Sequence, residues 1–426
     1  MAISQKNQVG SAIIEKKELP LQSFRNECKV SFHKINVCRM NNQTMDWSQN
    51  LSSTIDILRF PLAIAVIFIH IPKPSPNVYD TDLVLFSGEW IYNVIAVSIS
   101  YVLTHIAVPT FFLISGFLFF RNFAEWAWYG YRRKMRSRVM TLLVPYLVWN
   151  LLTIGLLLLR GVLAGLESGE LSKTLDMIAA QGWHLFYDCN VWGESRVNVL
   201  GWFQQSSGPV CLPLWFLRDL IVATAFAPVI WWLVKKARFA VVALLFAAYC
   251  TRIWPVVPGF SINAFFFYTI GAYCALEGKN IVIVARKYLP LCGGVALCLF
   301  PVCVYYNSVN TVIGNNIYPF FVASAVFAAF AVASKLVERY GMKAHPVLVK
   351  SCFFVYACHA TPVFITMDPM AIVNRALHFV IPGNSMPEFI VVYLLNPFFT
   401  AALCCMLYVL LTRYVPRVAT LFTGGR

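Results

Sequence analysis

The chain has 426 residues, 59% of them hydrophobic and only 12% charged, with 34 Lys and Arg against 19 Asp and Glu for a net charge of +15. A water-solvated surface needs roughly a quarter of its residues charged, so a soluble multidomain protein is excluded and an integral membrane protein is expected. Apolar runs of about 20 residues recur along the chain, each long enough to cross ~30 Å of hydrocarbon as a helix, which predicts an all-α fold and excludes the short alternating segments of a β-barrel.

Residues 1–50 are polar and basic, with Lys6, Lys16, Lys17, Arg25, Lys29, Lys34 and Arg39 and no apolar core of signal-peptide type. They are expected to be a disordered cytoplasmic tail, or to precede a true start at Met40 or Met45. Ten spans follow, at 54–72, 90–120 (tilted or broken near Pro109), 139–160, 212–234, 239–255, 260–277, 288–306, 316–334, 351–367 and 388–411. Ten is even, so both termini share a side. The basic residues fall in clusters between spans, 26 on the side of the termini against 5 on the other. The positive-inside rule therefore puts both termini, and the basic tail at 412–426, in the cytoplasm. It also accounts for the net charge without a nucleic-acid partner. The largest external segment, at about 161–211, carries Trp183, Phe186, Tyr187, Trp192, Trp202 and Phe203; it reads equally as an interfacial loop or as a lid that stacks on sugar rings.

The 13 cysteines are mostly in or beside apolar runs, where Cys behaves as a small hydrophobe, and they form neither a disulfide framework nor a metal site. Only Cys189 and Cys211 share the external segment, leaving one candidate disulfide. No internal repeat is evident, which weakens an inverted-repeat transporter.

Ionisable groups inside spans cost about 2.5–3.5 kcal/mol on insertion scales and mark function. The first span, IDILRFPLAIAVIFIHI, holds Asp56, Arg59 and His70. Eleven residues is about three helical turns, so Arg59 and His70 share a face, separated by ~16 Å along the axis. On the returning span His105 comes to a similar depth, ~22–24 Å from the cytoplasmic edge. In PLWFLRDLIV, Trp215, Arg218 and Asp219 belong to the same outer zone, with Asp219 a candidate to orient an imidazole. His359, in FFVYACHATPV, falls nearer mid-span, where packing and a cavity-lining role are both open. The run YRRKMRSR supplies Arg133, Arg136 and Arg138, which either serve topology and anionic lipid contact or bind donor phosphates with their forked guanidinium groups.

The ordered set LRFPLAIAVIFIH, VPTFFLISGFLFF, RRKMRSRVMTLLVPYLVWN, PLWFLRDLIV, FFFYTIGAYCALEGKN and FFVYACH resembles the membrane-bound acyltransferase-3 family across about residues 51–411. The resemblance implies a ten-helix inner-membrane enzyme that passes an acyl group, commonly acetyl from cytoplasmic acetyl-CoA, to a hydroxyl of an extracytoplasmic glycan or lipid-linked saccharide. It implies His70 as the catalytic residue with Arg59 in support. The family's Arg-x-x-Arg motif for donor use fits Arg133 and Arg136 by spacing, yet measured back from Pro145 it falls on Arg138 and Thr141. Histidine is the side chain with a suitable intrinsic pKa for deprotonating a sugar hydroxyl. An acyl intermediate on Ser115 or a histidine stays open, although Ser115 in ISGF reads first as a small packing residue. The reading from another class is a transporter or flippase for a lipid-linked or polymeric saccharide. No metal is expected.

Overall fold

A computed structural model describes residues 49–71, 86–121, 123, 125–165, 169–189, 195–197, 203–205, 208–255, 257–309, 311–360, 369–381 and 385–425. The tail at 1–48, with the question of its start, lies outside them, as do Trp192 and Trp202. The described chain is helical apart from one hairpin, β1 (Ser195–Val197) antiparallel to β2 (Phe203–Gln205). The helices are α1 (Gln49–His70), α2 (Gly88–Ala96), α3 (Ala107–Phe120), α4 (Trp128–Arg138), α5 (Val144–Leu163), α6 (Glu170–Gln181), α7 (Trp215–Ala225) and α8 (Ala227–Ala237). They continue with α9 (Phe239–Thr251), α10 (Ile262–Leu276), α11 (Ile281–Lys287), α12 (Leu289–Val309), α13 (Thr311–Tyr340), α14 (Pro346–Cys358), α15 (Pro369–Val380), α16 (Met386–Tyr414) and α17 (Pro416–Thr423).

Six helical stretches among the described residues are long and apolar enough to cross a membrane, and α7 with α8, bent by 60°, makes a seventh. The expected spans at 239–255 and 260–277 correspond to α9 and α10, apolar helices shorter than a full crossing; the one expected at 351–367 overlaps the similarly short α14 at 351–358, and its residues 361–367 lie outside the described residues. The chain is thus a multi-pass membrane protein, with six or seven full-length spans by length and composition among the described residues.

The second span runs from Gly88 to Phe120 but changes winding twice. A π turn at Val97–Val102 gives way to a 3-10 turn at Leu103–Ile106 before α3 begins. Pro109 has no N–H to offer the carbonyl four residues back, which favours the tighter turn just before it. The Thr104 hydroxyl donates back to the carbonyls of Ile99 (2.8 Å) and Ser100 (3.3 Å), adding to the Leu103 N–H that Ile99 already accepts. Beyond the break, α3 crosses α10 glycine against glycine. A Cβ on Gly116 would stand 2.1 Å from the Tyr268 carbonyl oxygen, and one on Gly271 2.2 Å from that of Leu113. Only two bare backbones fit this crossing, the close approach that small residues allow between helices in lipid.

The segment at 161–211 is more than a loop. α6 turns back along α5: Arg160 pairs with Glu170 at 3.6 Å, Gly161 lies against Leu171, and Met177 and Ile178 join Ile154 and Leu157 around the buried Leu185. The descent continues until the Tyr146 hydroxyl donates to the Phe186 carbonyl. Tyr146 stands near the start of α5, about 25 Å along its axis from Leu163. Cys189 and Cys211 are both buried free thiols, so the disulfide considered for this segment is not formed.

At the other end of the chain α16 runs on to Tyr414, and α17 docks on α5. Trp149 donates its indole N–H to the Phe422 carbonyl (3.0 Å) and packs edge-on against both Phe422 and Phe354. Gly424, at φ 69°, sits where a Cβ would be 2.7 Å from the Thr141 Cα. The stretch expected as a tail is therefore in large part a packed element.

Candidate active site

α1 carries the first-span pair on a single helix. Arg59 does not stand alone: its guanidinium donates to Asp56, one turn earlier, at 3.0 Å, with both side chains about one-third exposed. The backbone carbonyl of Arg59 also accepts from the Cys352 thiol (3.2 Å), which ties this level of α1 to α14. Eleven residues on, half-buried His70 ends the helix.

The histidine brought against it comes from the far end of α14. His70 and His359 have ring centroids 5.2 Å apart at an interplanar angle of 49°. His359 is 0% exposed and follows the last residue of its helix. Its Nδ1 lies 2.8 Å from the Tyr356 carbonyl oxygen and 3.3 Å from that of Val355. A carbonyl only accepts, so Nδ1 carries the proton, and in the neutral form of the ring the lone pair is at Nε2. That nitrogen is buried without a hydrogen-bond partner among the described residues. A buried acceptor left open beside a half-exposed imidazole is the kind of group a substrate or an ordered water completes. Tyr356 fixes the other side of this turn, donating its hydroxyl to the Pro213 carbonyl just before α7.

The remaining expected residues divide. His105, in the 3-10 turn, sets its ring edge-on to Tyr318 of α13 at 6.1 Å. Arg218 and Asp219 are a buried ion pair, 8% and 1% exposed. Nε and Nη2 of Arg218 both reach Asp219 Oδ1 at 2.9 Å, while Nη1 donates to the Tyr187 carbonyl at 2.6 Å. Asp219 also takes hydrogen bonds from the Ser261 hydroxyl and the Gly259 backbone. Asp219 was expected to orient an imidazole, yet its partners among the described residues are these. The reason is local: a carboxylate this deep needs a cation within reach, and its chain neighbour supplies one. The pair braces the returning segment, since Tyr187 lies under the Arg218 guanidinium (5.4 Å to the ring centroid) and donates its hydroxyl to Pro258 at 2.5 Å. Burial raises the Tyr187 phenol above its ordinary range and the nearby Arg218 charge offsets part of that, so the phenol stays a donor. Trp215 opens α7 half-buried beside Gly208. Ser115 is half-buried, and the close crossing beside it belongs to Gly116.

On α4, Arg133 and Arg136 face outward, whereas Arg138 is partly buried toward Tyr268. Lys134 turns back onto the end of α3, donating to the Phe119 carbonyl and lying over the Phe123 ring at 4.3 Å. Among the described residues, no group of three or more His, Cys, Asp or Glu is arranged to hold a metal ion.

Residues 53–412 match the family model described as an acyltransferase domain. The chain belongs to the acyltransferase-3 family. The helices described above between residues 53 and 412 belong to that domain. The succinoglycan biosynthesis protein ExoH of Rhizobium meliloti (strain 1021) is 28% identical over 250 residues, covering 58% of this chain and 60% of that protein. The matched region thus spans less than two thirds of that relative. No solved structure matches the chain.

Two relationships in this region were not read from sequence. Asp56 was noted without a role, although its spacing of one turn from Arg59 was visible. The His70 partnership of His359 left no mark in either stretch of sequence, because it is made by packing α1 against α14.

Proposed function

We propose that the protein moves an acyl group, acetyl by preference, from a cytoplasmic CoA thioester to a hydroxyl of an extracytoplasmic glycan or lipid-linked saccharide, in the inner membrane with both termini cytoplasmic. The observation that carries the catalytic part is the His70–His359 pair, two imidazoles at helix ends with one ring tautomer fixed and its Nε2 open. The family supports acyl transfer, and the relative's printed role in succinoglycan biosynthesis supports a saccharide acceptor.

In this reading His70 removes the proton from the acceptor hydroxyl as its oxygen attacks the thioester carbonyl. The tetrahedral adduct collapses, the C–S bond breaks, and the imidazolium returns its proton to the leaving thiolate. His359 offers its Nε2 lone pair to the acceptor hydroxyl or to the second nitrogen of His70, holding the attacking group in line. Arg59, with its charge partly balanced by Asp56, stands ~16 Å below and steadies the donor as its pantetheine arm reaches up between the helices. Arg138, the inward-facing arginine of α4, takes the donor phosphates, and Arg133 and Arg136 meet anionic lipid headgroups.

The test is label transfer. Purified protein in bilayers receives radiolabelled acetyl-CoA or succinyl-CoA and a saccharide acceptor extracted from the envelope. Ester-linked label that disappears with His70→Ala at equal protein level supports the reading. Unchanged transfer by that variant refutes it.

A further inference from the structure

The end of α1 is held by a hydrogen-bond chain that none of the roles above uses. Ser100 lies in the π turn of the second span and is fully buried. Its Oγ is 2.6 Å from the Phe68 carbonyl oxygen and 2.7 Å from the hydroxyl of Tyr393, which is 3% exposed on α16. A serine hydroxyl has one proton, and the carbonyl takes it, so Tyr393 must donate to Ser100. The chain therefore runs in one direction, Tyr393 O–H to Ser100 O–H to Phe68 C=O. Phe68 is in the last turn of α1, where carbonyls need donors from outside the helix, and His70 is two residues further on. The same contact is packed from both sides: the Tyr393 ring meets Phe68 edge-on at 5.7 Å and Tyr92 at 5.8 Å.

The winding makes this possible. A π turn inserts one extra residue, which displaces the following side chains around the axis relative to a regular helix. Thr104 donates back into the same turn, as described above. The buried hydroxyl of the π turn thus reaches both α1 and α16.

We propose that Ser100 and Tyr393 are positioning residues for acyl transfer: they anchor the terminal turn of α1 and so fix where the His70 imidazole stands against His359. This rests on the reading of His70 as the acting base, and the experiment separates the two. The full chain in detergent micelles is treated with diethyl pyrocarbonate, and carbethoxylation of each histidine is followed in time by peptide mass spectrometry. In Ser100→Ala and Tyr393→Phe the His70 rate should change by at least about threefold, the effect of losing one hydrogen bond of ordinary net worth. The rate at His184, far along the chain in another segment, should not change. Ser100→Thr, which keeps the hydroxyl, should restore the wild-type His70 rate. Should Ser100→Ala not fold, Tyr393→Phe decides alone, since it keeps the ring and removes one donor. A His70 rate equal to wild type in every folded variant overturns the proposal. Acyl transfer measured on the same samples should fall with kcat while the donor KM holds. Altered His70 reactivity with transfer intact upholds the anchoring but refutes His70 as the base.

Discussion

The imidazole of His359 rests 5.2 Å, centroid to centroid, from that of His70, with its own Nδ1 committed to the carbonyl of Tyr356. The surroundings of the two rings differ. One is half-buried at the open end of a helix, while the other is sealed in and tautomer-locked.

Replacing His70 by Ala should lower acyl transfer by about 10²–10⁴-fold, the usual contribution of a general base. Donor affinity, measured by equilibrium binding of the CoA thioester, should stay within a factor of two or so of wild type, since the imidazole acts on the acceptor.

His359→Asn should reduce kcat by about tenfold or more, because the side-chain amide nitrogen can replace the Nδ1 donor while nothing is left at the Nε2 position. Thermal unfolding of the same variant, followed by size-exclusion chromatography after heating, should move far less than that of His359→Ala, which empties a fully buried site.

Arg218→Ala should be among the most damaging changes to stability without touching donor affinity. It strands the Asp219 carboxylate at 1% exposure, a loss of about 3–5 kcal/mol for a broken buried pair. The double change Arg218→Met with Asp219→Leu should recover much of that, since no charge is then left behind. Equal instability of single and double variants in a thermal-shift series would show that the pair is not the brace described.

Arg138→Ala should weaken acyl-CoA binding by about tenfold, the worth of a charge-assisted contact. Arg133→Ala and Arg136→Ala should leave it nearly unchanged in neutral lipid. Equal effects from all three in the binding assay would mean that the helix acts through its summed charge.

Gly271→Ala should destabilise by about 1–3 kcal/mol or more, as expected of overpacking, because its methyl would stand 2.2 Å from the Leu113 carbonyl oxygen and no flexible side chain is there to yield. Yield of monodisperse protein after solubilisation measures it.

How far the sequence carried depends on what holds each residue. Arg59 and His70 stood out because a charged or titratable group is rare in an apolar run, and a spacing of eleven residues is a property of one helix. Arg218 and Asp219 were legible as unusual, yet the depth argument sent them toward histidines, while the structure pairs them with each other and ties Arg218 to the returning segment at Tyr187. That segment was not read as a helix, although Leu171, Thr174 and Ile178 follow helical spacing along ELSKTLDMIAAQ and Glu170 opens it. Ser100 and Tyr393 carried no signal. A serine and a tyrosine in a span are ordinary, and a π turn has no composition that reveals it.

The contact between Gly424 and Thr141 bears on the order of events during synthesis. The residues just after the arginine helix α4 cannot reach their final packing until α17 has left the ribosome, and the indole of Trp149 waits on the same event for its acceptor at Phe422. The basic helix is made early and its footing is completed last, so a nascent chain that inserts normally but stops short of α17 should carry an unsettled α4 within an otherwise assembled helical framework.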